Sequence, residues 1–195
     1  MMAAANRAAS ASTDHGPRTV VLLRGINVGG HRLAMSTLRS ALERVGCTEV
    51  VTYIQSGNAV VIPPAPEPSD LAATLSDAVS AAAGYRVPVV LRTSAALAGV
   101  VDANPYPGTE GTHLHVVFFA DEPPTGLIDT LDPPSFSPEA CTLAGRDLYL
   151  YLPNGMGRAT LPTALEKSGR RITPTAVGTA RNWNTVLKLL DLASG

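Results

Sequence analysis

Pro88 sits inside the β-rich run Val87 to Arg92. Proline has no N–H to give a central ladder, so a strand holding it belongs at the edge of a sheet. Three β-rich runs precede it. Val20-Val21-Leu22-Leu23 is wholly apolar and suits a strand buried on both faces. Val50 to Ile54 and Ala59 to Ile62 flank Gln55-Ser56-Gly57-Asn58, where Gly and Asn tolerate the positive φ of a tight hairpin. Two helical stretches complete the pattern. The first starts at Ser36 as N-cap, carries Leu38, Ala41, Leu42 and Val45 on one stripe, and stops at Gly46. The second follows Pro63 to Pro68, has Ser69 as its cap and Asp70 against its dipole, and is closed by Gly84. The order is βαββαβ, the ferredoxin-like split unit, in which the fourth strand lies at an edge.

A short helix from Ser94 to Val101 follows, and from Leu114 the pattern restarts. The expected elements are a strand to Phe119, a short helix near Leu127 to Leu131, and strands around Cys141-Leu143 and Leu148-Leu152 joined by Ala144 to Asp147. A helix from Leu161 to Ser168 and a last one from Asn182 to about Ala193 end the chain. The fold class expected is α/β (α+β), with two tandem ferredoxin-like βαββα-type halves and a C-terminal helix. The halves are expected over 19–104 and 113–195. Residues 1–18, rich in Ala and Ser without an apolar core of signal-peptide length, read as a disordered tail.

Composition excludes several classes of function. Fifteen basic and sixteen acidic residues give a net charge of -1, so no whole-molecule field drives binding to nucleic acid or to an anionic membrane. No window approaches the roughly 20 apolar residues of a membrane span, and a cytoplasmic location is expected. Cys47 and Cys141 are far apart and lack CxxC spacing, so two free buried thiols are expected rather than a disulfide or zinc site. His113 and His115 would share a strand face, but two ligands without a third make strand-entry residues the simpler reading. Tyr149 and Tyr151 read as packing on a sheet face.

Three stretches stand out: Leu23-Arg24-Gly25-Ile26-Asn27-Val28-Gly29-Gly30, Thr52-Tyr53-Ile54-Gln55-Ser56-Gly57-Asn58, and Arg181-Asn182-Trp183-Asn184-Thr185-Val186 with Lys188-Leu189. Together and in this order they resemble the bacterial family filed as domain of unknown function 1697, over about Val20 to Leu192. The resemblance implies an α/β fold with ferredoxin-like repeats and carries no reaction with it. Where relatives often show a Gly-x-x-Ser-Lys-Leu-like stretch, this chain has Gly157-Arg158-Ala159-Thr160-Leu161, so a role for that serine and lysine is in doubt here.

In a βαββ unit the first two strands run parallel, so the loop leaving the first and the hairpin leaving the second emerge at the same end of the sheet. The candidate ligand-binding residues are therefore Arg24, Asn27, Gly29, Gly30 and His31 with Gln55, Ser56 and Asn58, joined by Arg181 at the start of the last helix. Glycines that expose backbone N–H groups, beside Arg and Asn donors, suit a phosphate or carboxylate. The same residues also serve as loop chemistry, with Arg181 as a clamp on an anion or a brace on the chain's own carbonyls.

The first loop is neither a Walker A element nor a Rossmann fingerprint, and no cofactor is expected. The motifs hold no Asp, Glu or Cys and only Lys188, so they are better equipped to bind than to move protons. The leading expectation is a module binding a small anionic or nucleotide-like ligand. The alternatives are an enzyme acting on a phosphorylated metabolite through His31, and a scaffold in which the motifs join the two halves.

Overall fold

A computed structural model describes residues 16–123, 126–129, 131–172 and 177–195. Nearly all of the expected tail, residues 1–15, and part of the segment before the last strand lie outside the described residues. Arg18, assigned to the tail by sequence, is held to the body through Leu192 O (2.9 Å) and Glu49 (2.7 Å).

The first half runs β1 (Thr19–Leu23), α1 (Met35–Arg44), β2 (Thr48–Tyr53), β3 (Asn58–Ile62), α2 (Leu71–Ala83), β4 (Val89–Thr93) and α3 (Ser94–Asp102). The second runs β5 (Leu114–Phe119), α4 (Gly126–Asp129), β6 (Ala140–Ala144), β7 (Asp147–Tyr151), α5 (Leu161–Ile172), β8 (Gly178–Asn182) and α6 (Trp183–Ser194). Each half contributes a four-stranded antiparallel sheet, ordered β2-β3-β1-β4 and β6-β7-β5-β8. The two orders match strand for strand. β4 pairs only with β1 and so lies at an edge, with Pro88 just ahead of it. Its missing N–H therefore leaves no gap in the ladder.

Three caps differ from the sequence reading. The residue before α1 is Ala34, which offers no side-chain cap, and Ser36 lies within the first turn. Asp70, rather than Ser69, caps α2 by accepting from Ala73 N, and Gly84 closes that helix at φ 77°. The helix expected from Leu161 to Ser168, α5, runs on to Ile172.

The alternation of side chains along the strands divides the interior into three layers. Val21, Leu23, Ala59, Val61 and Val89 face α1 and α2 on the outer side of the first sheet. Val20, Leu22, Val60 and Val90 face inward and meet Leu114, Val116, Phe118 and Tyr149 of the second sheet, with α3 and α6 in the same cluster. Leu148 and Leu150 face outward beneath α5. The middle layer belongs to both halves, so neither completes its core alone.

Sequence reasoning missed β8. Gly178-Thr179-Ala180-Arg181 carries no apolar run and no β-branched alternation, and Arg181 was expected to open the final helix. It is the fourth residue of an edge strand fixed by pairing with β5, and Asn182 behind it caps α6 by accepting from Thr185 N. Pairing with β5 imposed the strand where local preference was weak.

Candidate functional site

The loop after β1 and the β2–β3 turn meet at one end of the first sheet. Leu23 N donates to Gly57 O at 2.8 Å. Asn27 joins the two loops: Nδ2 donates to Gln55 O at 2.6 Å and Leu33 O at 3.1 Å, and Oδ1 accepts from Leu33 N at 2.9 Å. Its backbone takes φ 55°, a left-handed conformation that asparagine tolerates better than most residues. With Asn27 N donating to His31 O at 2.6 Å, the segment closes on itself and turns Gly29, Gly30, His31 and Arg32 outward. His31 leans on Tyr85, with ring centroids 4.5 Å apart. A cleft of about 600 Å3 lies between His31, Arg32, Ala34 and Gln55.

Glycine is required at position 57. It holds φ 80°, and a Cβ there would stand 2.6 Å from Ile26 Cδ1 and 2.8 Å from Leu23 Cβ. The turn before it also contains Ile54 at φ 48°, which is uncommon for a β-branched side chain.

Beside this turn lies a second groove of about 370 Å3, lined by Gly25, Asn27, Gln55, Ser56, Thr179 and Arg181. Asn58 is wholly buried below it and Arg24 lines a different cavity, against the second sheet. Asn27, Ser56 and Arg181 thus share one concave wall, while Arg24 and Asn58 stand apart from it.

Arg181 is 6% exposed. Its Nε donates to Asn58 Oδ1, Nη1 to Thr179 Oγ1 and Ala180 O (both 2.7 Å), and Nη2 to Leu23 O (2.8 Å), Gly57 O (3.0 Å) and Ser56 O (3.1 Å). All five N–H groups of the guanidinium are directed at the chain's own acceptors, as burial of an arginine demands. Arg181 therefore braces the β1 end and the β2–β3 turn of the opposite half.

A residue that the sequence reading passed over performs the reciprocal task. Arg92, fourth in β4 as Arg181 is fourth in β8, reaches into the second half. There it donates to Phe119 O (2.9 Å), Arg146 O (3.1 Å) and Asp147 Oδ1 (2.8 Å). Phe119 ends β5 as Leu23 ends β1, and Asp147 opens β7 as Asn58 opens β3. Phe119 N also donates to Arg146 O at 2.9 Å, matching the bond from Leu23 to Gly57. Each Arg precedes a helix-capping side chain, Thr93 or Asn182. The repeated Arg followed by a capping residue and a helix was the signal available in the sequence.

The two corners differ in one atom type. Arg92 is neutralised by Asp147, whereas among the described residues Arg181 faces only neutral acceptors. Desolvation accordingly pulls the Arg181 pKa down to about 10, which still leaves it cationic at neutral pH. Neither motif loop, 24–34 or 54–58, contains a carboxylate.

Among the described residues no cluster of three or more His, Cys, Asp or Glu is spaced to hold a metal. His113 approaches Glu110 at 3.8 Å, while His115 Nδ1 is buried without a hydrogen-bond partner among the described residues. Cys47 is buried and Cys141 half-buried, both as free thiols, and burial pushes the Cys47 thiol up to about 11. Tyr149 is buried and donates to Val100 O at 2.7 Å, while Tyr151 stacks on Tyr106. Gly157 to Leu161 enters α5, and the Glu139 carboxylate accepts from Thr160 N (3.0 Å) and Leu161 N (2.8 Å) there. No described helix is long and apolar enough to cross a membrane.

The fold is similar to that of the conserved bacterial protein SP0830 from Streptococcus pneumoniae. The TM-score is 0.71 at 20% identity, covering 92% of this chain and 99% of that one. No curated protein matches the sequence. The family described as "Protein of unknown function (DUF1697)" matches residues 17–149, which include both motif loops and the Arg92 corner with Asp147. The chain belongs to the DUF1697 family.

Proposed function

We propose that the groove between the β1–α1 loop and the β2–β3 turn binds a small anion, such as the phosphate of a nucleotide-like ligand. The observation that carries this reading is the unneutralised charge of Arg181, set against the Arg92–Asp147 pair at the equivalent corner. A buried cation among neutral dipoles attracts an anion strongly, because little water screens it. Its donors are already in use, so Arg181 supplies charge. Hydrogen bonds come from Gln55 and Ser56 and from backbone N–H groups of Gly29 and Gly30, with His31 and Arg32 at the rim.

The test is a calorimetric titration with pyrophosphate at low salt, on the natural chain and on Asn58→Asp. That substitution places a carboxylate where Asp147 stands in the second half, giving up the two bonds from Asn58 Nδ2. It is expected to keep the fold while weakening pyrophosphate by about tenfold or more. Arg32→Ala should weaken it less, through the rim charge alone. No binding to the natural chain, or equal affinity for Asn58→Asp, refutes the reading.

A further inference from the structure

Each four-stranded sheet has two edges, and three of the resulting edge strands carry a device against further pairing. β2 has a register shift between Thr48 and Val51, within which Glu49 takes φ 48° and pairs with Arg18. β4 and β8 each turn a buried arginine inward, Arg92 and Arg181. β6 has none of these. It reads Ala-Cys-Thr-Leu-Ala, without charge, proline or bulge, and keeps an unbroken register with β7, its one strand partner among the described residues.

The ladder fixes which backbone groups face the open side of β6. Leu152 N donates to His113 O and Phe119 N to Arg146 O, so the even-numbered residues of β7 bond to β5. Successive residues of a strand bond to opposite neighbours. Asp147, Tyr149 and Tyr151 therefore serve β6, through Ala144, Thr142 and Ala140. Cys141 and Leu143 are left with N–H and C=O turned outward, and their side chains are half-buried against the outer layer beneath α5.

We propose that a second copy of this chain docks on β6, strand against strand and antiparallel, about a two-fold axis at Thr142. In that register the strand is complementary to itself. Cys141 and Leu143 exchange backbone bonds with the partner's Leu143 and Cys141, and these half-buried side chains cover one another. On the other face Thr142 meets the partner's Thr142, a favourable cross-strand pair, and no charge stands opposite its like. An unguarded edge open to any extended chain is an aggregation site, whereas pairing with itself uses the edge up. A two-fold contact closes at two copies, and the devices on β2, β4 and β8 prevent growth from the other edges. The contact is small, so the dimer forms as concentration rises. It is separate from the anion groove and does not depend on it.

Sedimentation equilibrium of the full chain, from micromolar to millimolar, should show the mean mass rising towards that of two chains and no further. Thr142→Lys sets like charges directly opposite each other and should remain monomeric with an unchanged circular dichroism spectrum, since Thr142 is exposed and loses only its bond with Tyr106. A cross-linking pair fixes the register in a Cys141→Ser background. Thr142 and its copy form a non-hydrogen-bonded pair with Cα atoms about 4.5 Å apart, so Thr142→Cys should form an intermolecular disulfide on mild oxidation. Ala144 lies four residues from its own copy along the strand, about 13 Å, so Ala144→Cys should not. A monomer throughout the range, growth beyond two chains, undiminished dimerisation of a folded Thr142→Lys, or equal cross-linking of Ala144→Cys each overturn the proposal. If Thr142→Lys does not fold, the mass of the natural chain and the cross-linking pattern decide alone.

Discussion

Replacing Arg181 by alanine removes a side chain with six hydrogen bonds, four of which tie β8 to the opposite half. Two opposing effects set the outcome. Burial draws its pKa down to about 10, a cost to the charged form of about 3 kcal/mol. Against this, bonds from a charged donor contribute about 1.5 kcal/mol each at the lower end. Its five N–H groups come to about 7.5 kcal/mol, so the brace wins by about 4.5 kcal/mol before any cavity is counted. The acceptors lose unequally. Leu23 O keeps Thr179 Oγ1 and Gly57 O keeps Leu23 N, while Ser56 O and Asn58 Oδ1 are left without a described donor. Arg181→Ala is therefore expected to lose about 4 kcal/mol, in the range for breaking a buried charge network. Urea unfolding at pH 7, followed by the fluorescence of the sole tryptophan, Trp183, in the shared core, measures it. Arg181→Lys should fall between, since an ammonium has three donors and no planar fork. A loss below about 1 kcal/mol for Arg181→Ala would refute the brace and mean that water replaces the guanidinium at no cost.

Two further outcomes follow from particular contacts. Gly57→Ala should lose about 2–3 kcal/mol, since it combines a left-handed backbone with overlap on Ile26 and Leu23; an unchanged urea midpoint would contradict the close approach. His115 has its pKa lowered by desolvation and then by neighbouring His113, so between that value and 6.5 the unfolded chain holds more protons than the folded one. Stability should fall as the pH drops through this window, and His115→Leu should flatten the dependence in urea titrations at several pH values; an unflattened slope would assign it to other groups.

The sequence determined much of the fold through local signals. Pro88 pointed to an edge strand, and β4, which begins one residue after it, is one. Gly84 ended α2 where the apolar stripe stopped, and Asn182 supplied the cap of α6. The meeting of Arg24–Arg32 with Gln55–Asn58 was also legible, because strand direction alone brings those loops to one end. Helical and strand periods are properties of adjacent residues, so they survive without knowledge of partners.

The tertiary structure decided what depends on distant segments. Gly178 to Asn182 is a strand because β5 pairs with it, although its own residues argue weakly for one. Whether Arg181 was a clamp or a brace turned on acceptors at positions 23, 56, 57, 58, 179 and 180, most of them more than a hundred residues away. Arg92 drew no notice in sequence for the same reason, since Phe119, Arg146 and Asp147 become its partners only when the halves meet. The cavity beside β8 is lined by residues from segments far apart in the chain, an arrangement that no local pattern encodes. A periodic pattern states which side of an element is apolar, but the identity of what covers that side is fixed only by packing.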